Sequence, residues 1–595
     1  MHYLLLTLTF LTTSLASAQL YVKNSDYMYV KGDVLYVEDN IVLNDAESKI
    51  YLRSEGQLIQ GTGTTGNSGL GELSVHQEGT VNQFAYNFWC SPVGGNLVDN
   101  TNNNGFKVNQ LDDSTGDITS VDAAFTSGAN GSSSPLTISS TWLYTYTTSS
   151  SYSGWNYKGA NGNIATGLGF TMKGTNGSSE NQLYDFRGKP NNGTISNTVS
   201  DGGFTLIGNP YPSALDAYEF LYDAENVANI TGELYYWEQA AGASSHYLAE
   251  YIGGYATYTI AMDETSSFTP ATFTTFMGDG TATNFPGTAS PSGKTAKRYI
   301  PIGQGFLVEG VVNNGTVKVK NAHRKFYKES GSDSEFFRLS GETSNNASRT
   351  NSNSEEPELT EEGMVAVSDA YKRFRLNVDF NETYTRQLLM NFHDSATDGF
   401  DYGLEGKSPG VLSSDAYWTL EGTPYAIQAF SFDTELAIPV VLTLNQQQSV
   451  NFRMFDIQNF DSSQPIYIHD IENDVYVDLR TQEYFLNLEA GDYSSRFEIV
   501  FQSPETLSVP SLTDSDIIVV QNNKLDELLI ANPTNLDITT VIVFDINGKQ
   551  VMTNTDLENQ NEYSFNTQHL TSGVYIVSVN TSSNQQLNRK VIVNN

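Results

Sequence analysis

The sequence has a single cysteine, Cys90, among its 595 residues. No disulfide can close within the chain, and no cysteine-based zinc site can be built. Histidine is scarce too. The seven histidines are scattered and form no His-Glu-x-x-His string, so the sequence indicates no histidine metal site. Cations are few: 31 Lys and Arg face 68 Asp and Glu, for a formal charge of −37. Nucleic-acid binding needs Lys and Arg against phosphate, so that class is excluded, as is docking on an anionic membrane surface. The charge permits divalent cations and favours solubility, and its plainest reading is a solvated acidic surface. Long apolar runs are missing as well. Residues 4–15 hold only apolar residues, Thr and Ser, too short a stretch for a membrane span, and no transmembrane segment is expected elsewhere in the mature chain.

Residues 4–15 instead suit the core of a signal peptide. Ala16-Ser17-Ala18 supplies small residues for cleavage, so the mature chain is expected to begin after Ala18, at Gln19. His2 is the one side chain ahead of this core that could carry a positive charge. Cys90 sits in Phe88-Trp89-Cys90-Ser91-Pro92 with no local base, which predicts a buried, inert thiol.

What the chain does have is β-forming residues broken by turn formers, and the expected class is all-β and multidomain. Residues 19–60 read as short strands at 27–30, 34–37, 41–43, 50–53 and 57–59, punctuated by Gly32, Asn40, Asp45 and Gly56. Turns of a β-solenoid and a meander both fit. Residues 61–200 are rich in Gly, Asn, Ser and Thr, with aromatic strands such as 141–146. One short helix is expected near 213–222. There Ser213 follows Asn209-Pro210-Tyr211-Pro212 as a cap, Asp216 stands three residues on, and Leu215, Tyr218 and Leu221 or Tyr222 share a face. Residues 340–362 are polar and read as a loop or linker. Seven strands are expected across 363–503, at 373–380, 387–392, 425–432, 438–444, 449–455, 466–470 and 496–501, which suggests a β-sandwich. The expected divisions are therefore a leader (1–18), a β-rich N-terminal region (19–339), the polar segment (340–362), the sandwich (363–503), a linker (504–516) and a β tail (517–595).

The tail carries strand-like runs at 528–531, 541–545 and 574–579, with Asn547-Gly548 as a turn and Gly573 ahead of the third run. Val541 and Val543 would face one side, Ile542 and Phe544 the other. The pieces ANPTN (531–535), VIVFDINGKQV (541–551), FNTQHLTSGVYIVSV (565–579) and RKVIV (589–593) resemble the C-terminal sorting domain of the type IX secretion system of Bacteroidetes, in its type A form. Ala531 departs from the pattern, since a second Pro is common before Asn-Pro. The resemblance implies an immunoglobulin-like sandwich and makes Asn532, Pro533, Asp545, Gly548, Lys549, Gly573, Val574, Tyr575, Arg589 and Lys590 the sorting-signal residues. It also implies the type IX machinery as partner and a destination beyond the outer membrane, at the cell surface or outside the cell. The body strings NFWCSPVG (87–94), IGNPYPSALDA (207–217) and PIGQGFLVEG (301–310) resemble a set found in this order in large exported flavobacterial proteins. That group has no established activity.

Catalytic strings do not survive inspection. Gly406-Lys407-Ser408-Pro409-Gly410 matches Gly-x-Ser-x-Gly, but Pro409 has no N–H to offer an oxyanion, and a surface turn is expected. Gly61-Thr62-Gly63-Thr64-Thr65-Gly66 is followed by Asn67-Ser68-Gly69 rather than a helix, so it reads as a loop. No cofactor is expected, calcium aside. Asp112, Asp113 and Asp117 could gather oxygens for calcium around Gly116, yet the full loop series is absent and a solvated turn competes. Asp398-Gly399-Phe400-Asp401 is a lesser case. Aromatics make up 12% of the chain. Trp142, Tyr144, Trp155, Tyr235, Tyr236 and Trp237 are candidates for stacking on sugar rings, with core packing as the competing role. The leading expectation is a non-catalytic exported β protein for adhesion or binding, with surface glycans or extracellular polymers as partners. The alternatives are a polysaccharide hydrolase using an acidic pair and a structural matrix component.

Overall fold

The computed structural model describes residues 19–61, 66–95, 103–177, 181–240, 242–277, 294–338, 358–408, 410, 412–502, 517–555, 557–582 and 585–594, and the backbone of 282–286. The expected leader with Ala18, residues 340–357 of the polar segment, the 504–516 linker, residues 62–65 of the glycine string and Pro409 lie outside the described residues. About 52% of the chain is strand and 5% helix, an all-β fold. The chain divides into two compact units, Met1–Gln502 and Ser503–Asn595.

The first unit begins as a β-solenoid. Leu20–Val22 pairs in parallel with Ile41–Leu43, Tyr27–Lys31 with Lys49–Arg53, and Val34–Val37 with Gln57–Gln60. Three parallel pairs in the same order define two stacked coils and rule out a meander. Val22, Val37, Ile41, Leu43, Ile50 and Leu58 fill the interior, as their period-2 placement requires. Coil corners run so close that a Cβ on Gly56 would lie 2.6 Å from the Val30 carbonyl oxygen. Lys49–Arg53 then pairs in parallel with Glu72–Thr80, which pairs antiparallel with Asn181–Pro190 and so hands the solenoid over to antiparallel sheets.

The three body strings converge in space. Tyr86–Cys90 pairs with Gly169–Lys173, and Phe204–Gly208 pairs with Gly305–Glu309. Trp89 bridges to Gln304, and the Cys90 N–H donates to the Gly303 carbonyl at 2.8 Å. Cys90 is fully buried, and burial pushes its thiol far up from the ordinary value. The buried Asn209 amide donates to the carbonyls of Ser213, Ile300 and Pro301 at 2.8–3.1 Å, and the Gln304 side chain accepts from the Phe337 N–H at 2.7 Å. A Cβ on Gly208 would lie 2.3 Å from the Gln304 carbonyl oxygen and 2.5 Å from the Cys90 Cβ.

The helix is shorter than expected. Ala214–Asp216 is a strand held between Tyr299–Ile300 and Arg324–Lys325, so the helix is confined to Ala217–Leu221. Its cap is Asp216, whose carboxylate accepts from the Tyr218 N–H, and not Ser213. Ser213 is fully buried, with its hydroxyl taken by Arg324 and the Ala214 carbonyl. Tertiary pairing overrides the local capping pattern.

All seven strands expected in the second half of the body are present, within one eleven-stranded system over a core that includes Phe374, Trp418, Phe452 and Ile499. Asp415–Leu420 turns the corner: its first residues pair with Ala437–Leu444 and its last with Thr423–Phe430. This part is sewn to the rest of the unit by buried arginines. Arg373 donates to Ser266 O and Ser267 Oγ, and Arg375 to Phe268 O, at 2.7–3.0 Å.

The second unit packs the sheet Ile518–Asn522, Glu527–Ala531 and Glu562–Asn566 against the sheet Gln550–Thr555, Ile538–Asp545, Gly573–Thr581 and Gln586–Val593. Val541 and Val543 are buried and Ile542 and Phe544 only half so, which matches the expected alternation.

Overpacking at the Gly208 contact is expected to be costly. Gly208→Ala should destabilise the body by about 1–3 kcal/mol, read as a lower denaturation midpoint. Gly410→Ala, where a Cβ meets nothing within 4 Å, should leave the midpoint unchanged.

Candidate functional site

A cavity of about 620 Å³ opens within the first unit. Its walls come from sequence-distant pieces. Tyr86–Cys90 brings Tyr86 and Phe88, the 142–155 stretch brings Trp142, Tyr144, Tyr146, Tyr152 and Trp155, and Leu234–Gln239 brings Trp237. The aromatics brace one another: Phe88 stacks on Trp237 at 6.1 Å, and Tyr146 packs on Trp155 at 4.8 Å. Ser150, Ser153, Thr171, Thr272 and Thr274 supply hydroxyls between the rings. Of the six aromatic candidates, Trp142, Tyr144, Trp155 and Trp237 line this cavity. Tyr235 and Tyr236 do not; they are 0% and 2% exposed and belong to the core.

Two buried cations flank the cavity. Arg386 lies in its wall and grips Asp415 through two hydrogen bonds of 2.7 Å. The Leu412 and Ala416 N–H groups hold the same carboxylate. Lys173 lies outside the lining, but its ammonium sits over three rings that belong to it: Trp142 at 3.9 Å, Tyr251 at 4.5 Å and Tyr86 at 4.8 Å. It meets His246 Nδ1 at 3.0 Å and the Tyr251 hydroxyl, and no carboxylate pairs with it among the described residues. Burial lowers its pKa to about 7. His246 stacks on Trp142 at 5.0 Å, on the side where it also meets Lys173. Sequence reasoning missed Lys173, Tyr86 and Tyr251. The dense Tyr and Trp run of 142–157 is the one local signal that pointed here, because the remaining wall is assembled from far along the chain.

The perturbed carboxyls lie elsewhere. Burial raises Glu233 to about 7 and Glu405 to about 8. Both are at most 1% exposed and neither lines the cavity. Glu233 accepts from the Lys407 N–H at 3.2 Å, and Lys407 Nζ pairs with Glu309 at 3.1 Å. The first three residues of the Gly-x-Ser-x-Gly string, 406–408, belong to this packed region rather than to a surface turn, while Gly410 is exposed. Gly406–Lys407 is a short strand on Thr423–Phe430, and Ser408 donates its N–H to Pro424 O.

The structure gives the three candidate calcium ligands separate partners. Asp112 bonds Ser120 Oγ and Arg187, Asp113 accepts from the Leu136 N–H at 2.9 Å, and Asp117 from the Tyr29 hydroxyl at 2.9 Å. Among the described residues no group of three His, Cys, Asp or Glu is placed to hold a metal ion.

In the tail the residues expected to form the sorting signal divide by burial. Asn532 is fully buried and clasps the loop: its amide donates to Leu536 O and Gln560 O at 2.8 and 2.9 Å, and its oxygen accepts from Leu536 N at 2.9 Å. Asp545 accepts from the N–H groups of Asn547 and Lys549 at 2.9 Å and shapes a hairpin in which Gly548 takes φ +75°. Tyr575 is buried, with its hydroxyl on Thr571 O. Gly573 and Val574 open the strand that pairs with the C-terminal one, facing Val593 and Ile592. Pro533, Lys549 and Lys590 are exposed, and Arg589 is half-exposed.

The family described as Domain of unknown function (DUF8693) matches residues 9–501. The chain belongs to this family. The Secretion system C-terminal sorting domain matches residues 518–594, which marks this family member as a type IX secretion substrate exported across the outer membrane, to the cell surface or the extracellular space. No curated protein matches the chain. Among solved structures it overlaps the dimeric latent PorU from Porphyromonas gingivalis at 11% identity and TM-score 0.11, over 40% of this chain and 30% of that one. It overlaps Tp47, the 47-kilodalton lipoprotein of Treponema pallidum, at 10% identity and TM-score 0.13, over 64% and 92%. A biofilm associated protein BSP domain overlaps at 10% identity and TM-score 0.12, over 76% and 87%. Likeness at this level carries no argument.

Two predictions follow from burial. Glu405 is raised from an ordinary 4.5 to about 8 in the folded state, so its contribution to stability is full below pH 4.5 and is lost as pH rises through 8. Melting curves of Glu405→Gln should therefore fall less between pH 5 and pH 8.5 than those of the parent. In the tail, Asn532→Ala should cost on the order of 1–3 kcal/mol by stranding buried backbone groups, seen as faster amide exchange across residues 527–593. Lys549→Ala should leave that exchange unchanged.

Proposed function

We propose that the protein is a non-catalytic adhesion or binding protein that, once exported, holds surface glycans or extracellular polymers in the aromatic cavity. The reading includes a leader at 1–18, body regions at 19–339 and 363–503, and an immunoglobulin-like tail, whose three- and four-stranded sheets match that type in strand number. The observation that carries it is the wall of Trp142, Tyr144, Trp155 and Trp237, with Ser and Thr hydroxyls between. Flat aromatic faces accept the C–H faces of sugar rings, and the volume suits a bound small ligand or chain segment. A carboxyl-pair hydrolase is less well supported, because Glu233 and Glu405 are enclosed away from the cavity and no described lining residue is a carboxylate.

One observation favours a matrix role as the second reading. Leu20–Val22, Tyr27–Lys31 and Val34–Val37 each pair on one side only among the described strands, and Tyr21, Tyr27 and Tyr36 are more than half exposed there. Such an edge can pair with another chain. Concentration-dependent assembly of the full chain would favour that role.

The test is binding of the full chain to a panel of polysaccharides. Tyr152→Ala and Trp155→Ala are each expected to weaken binding about tenfold. Failure to bind any polysaccharide, cell or surface in the panel would remove the proposal.

A further inference from the structure

We infer that the cavity selects uncharged sugar chains and rejects both cationic ligands and acidic glycans. The inference rests on the glycan reading above and narrows it.

An aromatic box without carboxylates has two common occupants, an ammonium group and a sugar ring. The structure disfavours the first. Lys173 already lies over Trp142, Tyr251 and Tyr86 within 4.8 Å of each ring centroid. The rings that would hold a quaternary ammonium already carry the chain's own cation, which lies outside the lining. A second cation across the same rings would meet the repulsion of the first, with no carboxylate in the described lining to offset it.

Anions fare no better at contact range, since Lys173, which has no carboxylate among the described residues, lies outside the lining with its ammonium on His246 and the Tyr251 hydroxyl. Arg386 is the one charged residue in the described lining, and its guanidinium is matched to Asp415 by two 2.7 Å bonds. A uronate or sulfate would have to break that pair or go unpaired, and removing one partner of a buried pair is costly. At longer range, a formal charge of −37 repels polyanions as they approach.

The remaining chemistry is hydroxyl against hydroxyl. Among the described residues, the hydroxyls of Tyr144, Tyr152 and Ser150 have no hydrogen-bond partner, and all three residues line the cavity. Free hydroxyls that both donate and accept suit a polyol ring, whereas a hydrocarbon ligand would leave them unsatisfied.

The experiment is calorimetry with the full chain against three probes: neutral hexasaccharides (gluco-, manno-, galacto- and xylo-configured), oligouronate hexamers, and tetramethylammonium. At least one neutral hexasaccharide should bind about tenfold or more tightly than any oligouronate. Its affinity should change less than about twofold between about 50 and 500 mM salt, because no exposed charge is screened. Lys173→Ala should create weak tetramethylammonium binding absent from the parent, an effect that general loosening of the fold would not produce. Tighter binding of an oligouronate that fades with salt would overturn the inference and leave the glycan reading intact. Tetramethylammonium binding to the parent would also overturn it. Binding of neither neutral nor acidic sugars would overturn both.

Discussion

Three stretches of backbone meet around Gln304, and at Gly208 and Gly305 there is no room between them for a side chain. The Gln304 carbonyl approaches Gly208, Trp89 bridges to Gln304, and the buried Asn209 amide ties together three carbonyls. This contact joins the core around Trp89 to the core around Phe306. It also sets Phe88 facing Trp237, and so fixes the back wall of the aromatic cavity. The body strings 87–94, 207–217 and 301–310 are best understood as the three sides of one junction.

Around that junction the protein places its charges with unusual economy. Arginines and a lysine are buried, yet each is given a defined set of acceptors or rings. Arg373 and Arg375 bond backbone carbonyls across the body, Arg386 takes Asp415, and Lys173 takes three aromatic faces. The acidic surplus stays largely at the surface, while Glu233 and Glu405 are kept toward the neutral form by burial. The cavity lining offers ring faces and hydroxyls, with Arg386 already paired to Asp415.

Much of the fold was legible from residue patterns. Period-2 alternation and turn residues located the coil strands, the seven sandwich strands and the tail strands. Pairing direction was not legible, because parallel coils and a meander share the same alternation, and only the 20↔41 and 27↔49 registers separate them. The capping pattern at Ser213 misled because Ala214–Asp216 is captured by strands near 299 and 324, contacts no local window contains. The site was half legible. Trp142, Tyr144, Trp155 and Trp237 belong to it, but Tyr235 and Tyr236 adjoin Trp237 in sequence and pack into the core, since neither a strand's alternation nor its burial is told by aromatic content. Lys173 carried no signal at all, because a lysine in a strand reads as solvated until the rings around it are seen.

The same junction has a consequence for the order in which the chain can become folded. The coils close over short distances in sequence, but the bonds that complete their flank do not. Gln57 bonds Tyr327 across 270 residues, Asn321 bonds Gly61 across 260, and Gln304 bonds Phe88 across 216. Loops of that length close slowly, and their ordering cost falls before the contacts that offset it are made. The N-terminal coils therefore wait, with one side open, for a segment 260–270 residues away. The flank of the coils is complete only once residues 304–327 are in place.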